Sequence, residues 1–300
     1  MSKFVVVAHG TKSSLEPSII SSARSLEEQK ICGTTINIGE NGDFLTINDG
    51  LNYAISQGVS NGNPYVLNLC GPNYTENVQL RDGITIEGNT FSITGQIQLQ
   101  TSGFSRMYNL TITPPDNNTP AISANGGVGI FLFGNQLNII GSTTVALTRF
   151  QNTSGNIVIR DSGINQLGSG SAIDIKDTKT LTIDQTGVGG RIRVGGNSSI
   201  DKRFGTFNQV GGSPAQIQSS GGGNEIDLSF EYIVNNVSVF DSTADDVTSV
   251  IRITNTYWDN DNVASPLHSG DATFSWGAVV NAGGGVGPIG PNVQPILPFV

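Results

Sequence analysis

Charge is scarce in this sequence of 300 residues. Asp, Glu, Lys and Arg together make up 13% of it, about half the share of an ordinary globular protein. Basic residues are the scarcer kind, 15 Lys and Arg against 24 Asp and Glu, for a formal net charge of −9. A protein that grips nucleic acid through its phosphates needs a basic face, so nucleic acid is not an expected partner. An acidic polymer such as pectin is repelled overall, unless a local basic patch offsets the field. The two cysteines, Cys32 and Cys70, are too few for a disulfide framework. They are either free and buried or paired with each other. Long apolar runs are missing as well. Phe4 to Ala8 is too short for a signal-peptide core or a membrane span, so membrane insertion is not expected. Histidine occurs only at His9 and His268.

Glycine, by contrast, is abundant, at 39 residues, and Asn, Ser, Thr and Gln supply most of the polar surface. That mixture suits closely spaced turns, where Gly and Asn accept positive φ, and it argues against a helical protein. The apolar residues recur regularly, which argues against disorder. A short signature returns as Ile84-Thr-Ile, Leu110-Thr-Ile, Leu137-Asn-Ile, Ile157-Val-Ile and Leu181-Thr-Ile, at steps of 26, 27, 20 and 24 residues by subtraction of those positions. One small strand per repeat of twenty-odd residues is the mark of a solenoid. The expected fold is all-β, a single-stranded right-handed parallel β-helix, with apolar ladders inside and Thr, Asn and Asp outside. Phe91, Phe131, Phe133 and Phe150 are expected inside as core filler.

Three regions are expected. Residues 1–35 form an N-terminal arm or cap, with a charged helix over Leu15 to Gln29. Residues 36–264 form the β-helix, with residues 195–223 as a lateral loop or a turn-rich coil. Residues 265–300 form a Gly/Pro-rich tail, whose prolines exclude a helix or a central strand. Six Asn-x-Ser/Thr sequons, at Asn73, Asn109, Asn117, Asn152, Asn197 and Asn236, follow from the composition alone.

The opening of the solenoid is the most specific stretch. Ile36-Asn-Ile-Gly leads to Gly42-Asp-Phe-Leu-Thr-Ile. Asn48 to Ile55 then reads as a short cap helix with Leu51, Ala54 and Ile55 on one face. Tyr65-Val-Leu-Asn-Leu, Gly71-Pro-Asn-Tyr-Thr-Glu-Asn-Val and Ile84-Thr-Ile-Glu-Gly follow. This order over residues 36–88 resembles the entry to the pectin-lyase-like β-helix superfamily, especially its pectin-methylesterase branch.

The resemblance implies a search for pectin chemistry. The methylesterase pattern has an acid and a nucleophilic aspartate, oxyanion-stabilising glutamines and an Arg-Pro-Trp. No Arg-Pro-Trp occurs, and neither Trp258 nor Trp276 follows such an arginine. The polygalacturonase and pectate-lyase sets are missing too. The remaining catalytic candidates are Asp174, Asp177 and Asp184 with Arg191 and Arg193, an acid group beside basic subsites for a sugar acid; the competing reading is a solvated, self-compensating face. Asp259 and Asp261, with Asp245 and Asp246, form a candidate calcium cluster, against plain turn residues. No cofactor is implied.

A fold signature without catalytic signatures points to a structural or assembly protein: a virion surface, capsid-associated or fibre component. Its expected partners are copies of itself, as a trimer, and other structural proteins. A carbohydrate-active enzyme or a glycan-binding protein on a surface polysaccharide is the alternative, located outside or on the cell surface. Ile296, Leu297, Phe299 and Val300 are expected to pack on another subunit rather than on the chain's own last coil.

Overall fold

In the computed structural model of the chain, the described residues lie between 33 and 295, without 72, 101–102, 128–130, 211–212, 236–238, 244–245, 261–267, 278–279 and 282–292. The expected arm and its helix, Cys32, Asp245, Asp261, and the tail residues Ile296, Leu297, Phe299 and Val300 lie outside this set.

Alternating apolar residues dictate strands here, and glycine, Asn and Asp between them dictate corners. The result is a parallel β-helix. Each coil runs through three short strands, on faces called A, B and C in chain order. Face A includes Tyr65–Leu69, Ile84–Glu87, Asn156–Arg160, Thr180–Asp184, Ser199–Arg203, Glu225–Ser229, Val250–Thr254 and Thr273–Gly277. Face B includes Gly163–Gln166, Gly187–Gly189, Thr206–Asn208, Tyr232–Asn235 and Tyr257–Asn260. Faces A and B join into one 20-stranded sheet, and face C is a separate 9-stranded sheet that contains Thr148–Thr153, Ile173–Lys176, Ile192–Gly195 and Ile217–Ser220.

Parallel register stacks like on like. On face A the inward column runs Leu132, Ile157, Leu181, Ile200, Ile226, Ile251 and Phe274, each at most 1% exposed. Burying one such side chain is worth about 1.5–3 kcal/mol, and every coil adds several. The recurring signature marks two faces, not one. Ile84, Ile157 and Leu181 lie on face A, while Leu110 and Leu137 begin the face B halves of the long strands Phe104–Thr113 and Phe131–Gly141. The short step from Leu137 to Ile157 is therefore a passage from face B to face A of the next coil.

Between faces A and B the chain turns through a left-handed residue in coil after coil: Asn109, Gln136, Asp161, Gln185, Phe204, Phe230 and Asn255, with φ from 46° to 55°. A second left-handed column, Gly126, Asn152, Asp177, Gly196 and Gly221, lies at the C-terminal ends of the face C strands, inside the first two and just past the others. Asn, Asp and Gly suit this conformation. Phe does not, and each such bulky residue costs on the order of 1–3 kcal/mol.

One helix, α1 (Ile47–Ser56), lies against the first coils. Thr46 caps it by accepting the Asp49 backbone N–H. The Glu76 carboxylate accepts the backbone N–H groups of Ile47 at 2.8 Å and Asn48 at 3.0 Å, where the helix dipole favours negative charge. Its inner face is Ile47, Gly50, Leu51 and Ala54. Ile55, expected on that face, is exposed because it falls one position past the apolar stripe.

Other expectations need correcting. Of the two readings of residues 195–223, the coil holds and the lateral loop does not: Ser199–Arg203, Thr206–Asn208 and Ile217–Ser220 form a three-faced coil. The solenoid also continues past residue 264. Thr273–Gly277 stacks on Val250–Thr254, and Val293–Pro295 stacks on Thr273–Gly277. Pro295 is tolerated there because, among the described residues, one strand neighbours it on face A. Phe150 is buried in the core and Phe91 packs against it. Phe133 is buried but points out of face A, in register with Arg106 and Val158, with its ring against Tyr108. The side chain of Phe131 lies outside the described residues. Cys70 is a free thiol, and it is exposed rather than buried.

Candidate functional site

The five catalytic candidates divide between two sheets. Asp174 and Arg193 are register partners at the outward positions of face C, and Arg149 stands above Asp174, its Nε 3.6 Å from the carboxylate. Burial pushes the Asp174 pKa up, and the charges of Arg149, Arg193 and Lys176 pull the other way. Arg191 lies one residue before that strand, its pKa lowered by burial and by the like charge of Arg193. Asp177 is a left-handed corner residue after the strand, packed against Gly196, where an added Cβ would strike its carboxylate. Asp184 belongs to face A. Its carboxylate accepts from Arg160 Nε at 3.1 Å, and Arg203 Nε lies 3.7 Å from its other oxygen. These groups form two arginine–aspartate ladders along the rod. They do not converge on one point where an acid and a nucleophile could share a substrate atom.

A second charged constellation pairs residues of two coils, a partnership the sequence does not announce. In the inward column Ile183, Lys202, Leu228, Ile253 on face A, a lysine takes an apolar place. Its Nζ lies 2.5 Å from Glu231 Oε2 and donates to the Thr186 carbonyl at 3.2 Å. Glu231 Oε1 accepts the Gly205 backbone N–H at 3.0 Å. Both side chains are fully buried. Burial lowers the Lys202 pKa and raises that of Glu231, while each partner's charge opposes the shift. The pair is satisfied within the rod and offers nothing to a ligand from outside.

The corner between faces A and B carries exposed aromatics. Phe204 and Phe230 occupy successive left-handed positions, and their rings stack at 4.7 Å and 9°. Tyr232 and Tyr257, register partners on the outer side of face B, stack at 5.1 Å and 22°. Asp259 is next outward on the Tyr257 strand, and the Tyr232 pKa rises through desolvation and then through the Asp259 charge. This is the position of the one calcium candidate with a described side chain in that strand. Asp246 is a buried turn residue that accepts from Gly222 N at 2.9 Å and from Ser249. Among the described residues, no group of three or more His, Cys, Asp and Glu is placed to hold a metal ion.

At the α1 end, a cleft of ≈ 360 Å³ lies between the helix and face C. Asn48, Asn52, Gln79, Gln96, Gln98 and Arg81 line it. The stacked Gln79–Gln98 pair comes from the outward column of face C.

No family model, curated protein or solved structure matches the chain. Among the described residues, no helix is long and apolar enough to cross a membrane.

Proposed function

We propose that the chain is a non-catalytic structural protein of the pectin-lyase-like β-helix type, a stiff rod that assembles with copies of itself, a trimer first, and with other structural proteins of a virion surface or fibre. One observation carries the reading. The carboxylates that would have to do chemistry are structural: Asp184 is held between Arg160 and Arg203 on face A, and Asp174 faces Arg149 on face C. Two further features support it. On faces A and C, arginines stacked on aspartates in the outward columns, as in Arg149–Asp174, Arg160–Asp184–Arg203 and Arg252–Asp227, neutralise part of the charge within the rod, which eases the approach of a neighbouring rod at those columns. The coils are fixed by continuous ladders rather than by loops, which suits a load-bearing element.

The test is assembly and turnover on one preparation. Light scattering of the full chain at near-native concentration is expected to give a homo-oligomer. Polygalacturonate and methyl-esterified pectin are expected to remain intact. A monomer at every accessible concentration sinks the assembly reading. Pectin turnover abolished by Asp174→Asn or Asp184→Asn sinks the non-catalytic one and promotes a carbohydrate-active enzyme.

A further inference from the structure

Five of the ten large apolar side chains that stand exposed among the described residues gather at one place: Phe204, Phe230, Tyr232, Val234 and Tyr257. Register makes them a staircase over successive coils. Phe204 and Phe230 climb the A–B corner, and Tyr232 and Tyr257 climb the adjoining outer column of face B. The same corner is turned by Asn109 and Asn255 in other coils. At two coils it holds Phe in a conformation that Asn tolerates and Phe does not. The rings are also about half exposed, 51% for Phe204 and 50% for Phe230. Neither backbone fit nor burial accounts for them, and strain retained at an exposed position is the signature of a working surface.

The surroundings decide what that surface takes. Gln185 precedes Phe204 and Asn255 follows Phe230 in the corner column. Asn208, Val234 and Asp259 form the next outward column of face B. Flat apolar rings bordered by amides and a carboxylate match a ligand that is apolar on its faces and hydroxylated round its edge. An apolar protein surface would leave those amides unsatisfied. The charge disfavours uronic acids: Asp259 stands in the patch, the chain carries −9 overall, and the adjoining Arg203 is engaged with Asp184 and Asp201.

We propose that this corner is a binding site for a neutral glycan chain, whose ring faces lie on Phe204, Phe230, Tyr232 and Tyr257 and whose hydroxyls bond the amides and carboxylate beside them. The site is pre-formed, because each ring is fixed by its stacked neighbour and by a β-helical backbone that does not rearrange. It adds a recognition function that the assembly reading does not require.

The test is affinity electrophoresis of the full chain through gels containing dextran, mannan, mixed-linkage β-glucan or soluble cellulose ether, with polygalacturonate as the charged control. Retention by at least one neutral polymer is expected. Phe204→Asn/Phe230→Asn should weaken it by about tenfold or more, as truncating aromatic anchors does. That variant should melt at the same temperature or higher, since Asn relieves the corner, so lost retention cannot be put down to unfolding. Tyr232→Ser/Tyr257→Ser should weaken retention independently. No retention on any neutral polymer, preference for polygalacturonate, or undiminished retention by the Phe variant overturns the proposal. Light scattering of the same variants separates this failure from that of the assembly reading. A Phe variant that changes oligomeric state while keeping its glycan retention makes the corner a subunit contact and overturns the proposal as well.

Discussion

Lys202 stands where the residues above and below it in the ladder are Ile183 and Leu228, so its cost is desolvation and its compensation is one carboxylate. Removing only the lysine strands Glu231 in the core, a loss on the order of 3–5 kcal/mol. Lys202→Met is therefore expected to lower the urea midpoint sharply. Lys202→Met/Glu231→Gln should recover most of the loss, because Gln keeps an acceptor for Gly205. The single variant also makes a pH prediction. Burial already raises the Glu231 pKa above its ordinary 4.5 against the pull of Lys202, and without the lysine the rise grows. A raised folded pKa adds stability that is fully present below the unfolded value and lost as pH rises through the folded one. Lys202→Met should thus regain stability on acidification from neutral towards pH ~4.5, while the double variant should not. Melting temperatures across that range decide it, and a single variant whose deficit is independent of pH contradicts it. Half of this pair was legible. Ile200 and Lys202 share a side by strand alternation, but Ser199-Ile-Asp-Lys-Arg reads as a solvated strand, and nothing local announces a partner one coil away.

At the scale of elements, the sequence announces strands and the cap helix clearly and the corners only in part. Alternation of Ile and Leu finds the ladders, and Asn109, Asp161 and Asn255 find their corners. Gln136, Gln185, Phe204 and Phe230 do not, because stacking on neighbouring coils imposes the left-handed backbone against local preference. The same override places the strands Ser199–Arg203, Thr206–Asn208 and Ile217–Ser220 in a stretch rich in Gly and Ser. The helix offers a direct test of long-range capping. Glu76 takes two backbone N–H groups of α1 and the Asn48 side chain, which no spacing within the helix predicts. Glu76→Ala should leave those donors orphaned, at a cost of about 1–3 kcal/mol. Faster hydrogen exchange confined to α1 and the adjoining coil is expected. Unchanged exchange there would mean that water replaces the carboxylate without loss. Gly170→Ala is expected to be worse, since its Cβ would run into the Val145 carbonyl, and a backbone atom cannot step aside.

For the whole molecule, stability is a sum of coils, each touching only its neighbours. Among the described residues, the face C strands shorten from Thr148–Thr153 through Ile217–Ser220 to Phe240–Ser242, so on that face the later coils share fewer ladder bonds. Both tryptophans, Trp258 and Trp276, report on those coils. Tryptophan fluorescence should therefore change at lower denaturant than the β-sheet circular dichroism. Coincident transitions would show that the rod unfolds as one unit. The spectrum itself should be β throughout, with α1 its one described helix. A stack of parallel strands is also a template, and its outermost rung is the place where a further chain would dock. On face A the last described rung is Val293–Pro295, and proline offers no amide hydrogen to a newcomer. A rung added beyond that described strand would meet a missing donor at Pro295, whereas the flanks carry paired ladders such as Arg160–Asp184–Arg203 and Arg252–Asp227. In the assembly proposed above, this would favour side-by-side bundles of limited girth over filaments that lengthen without end.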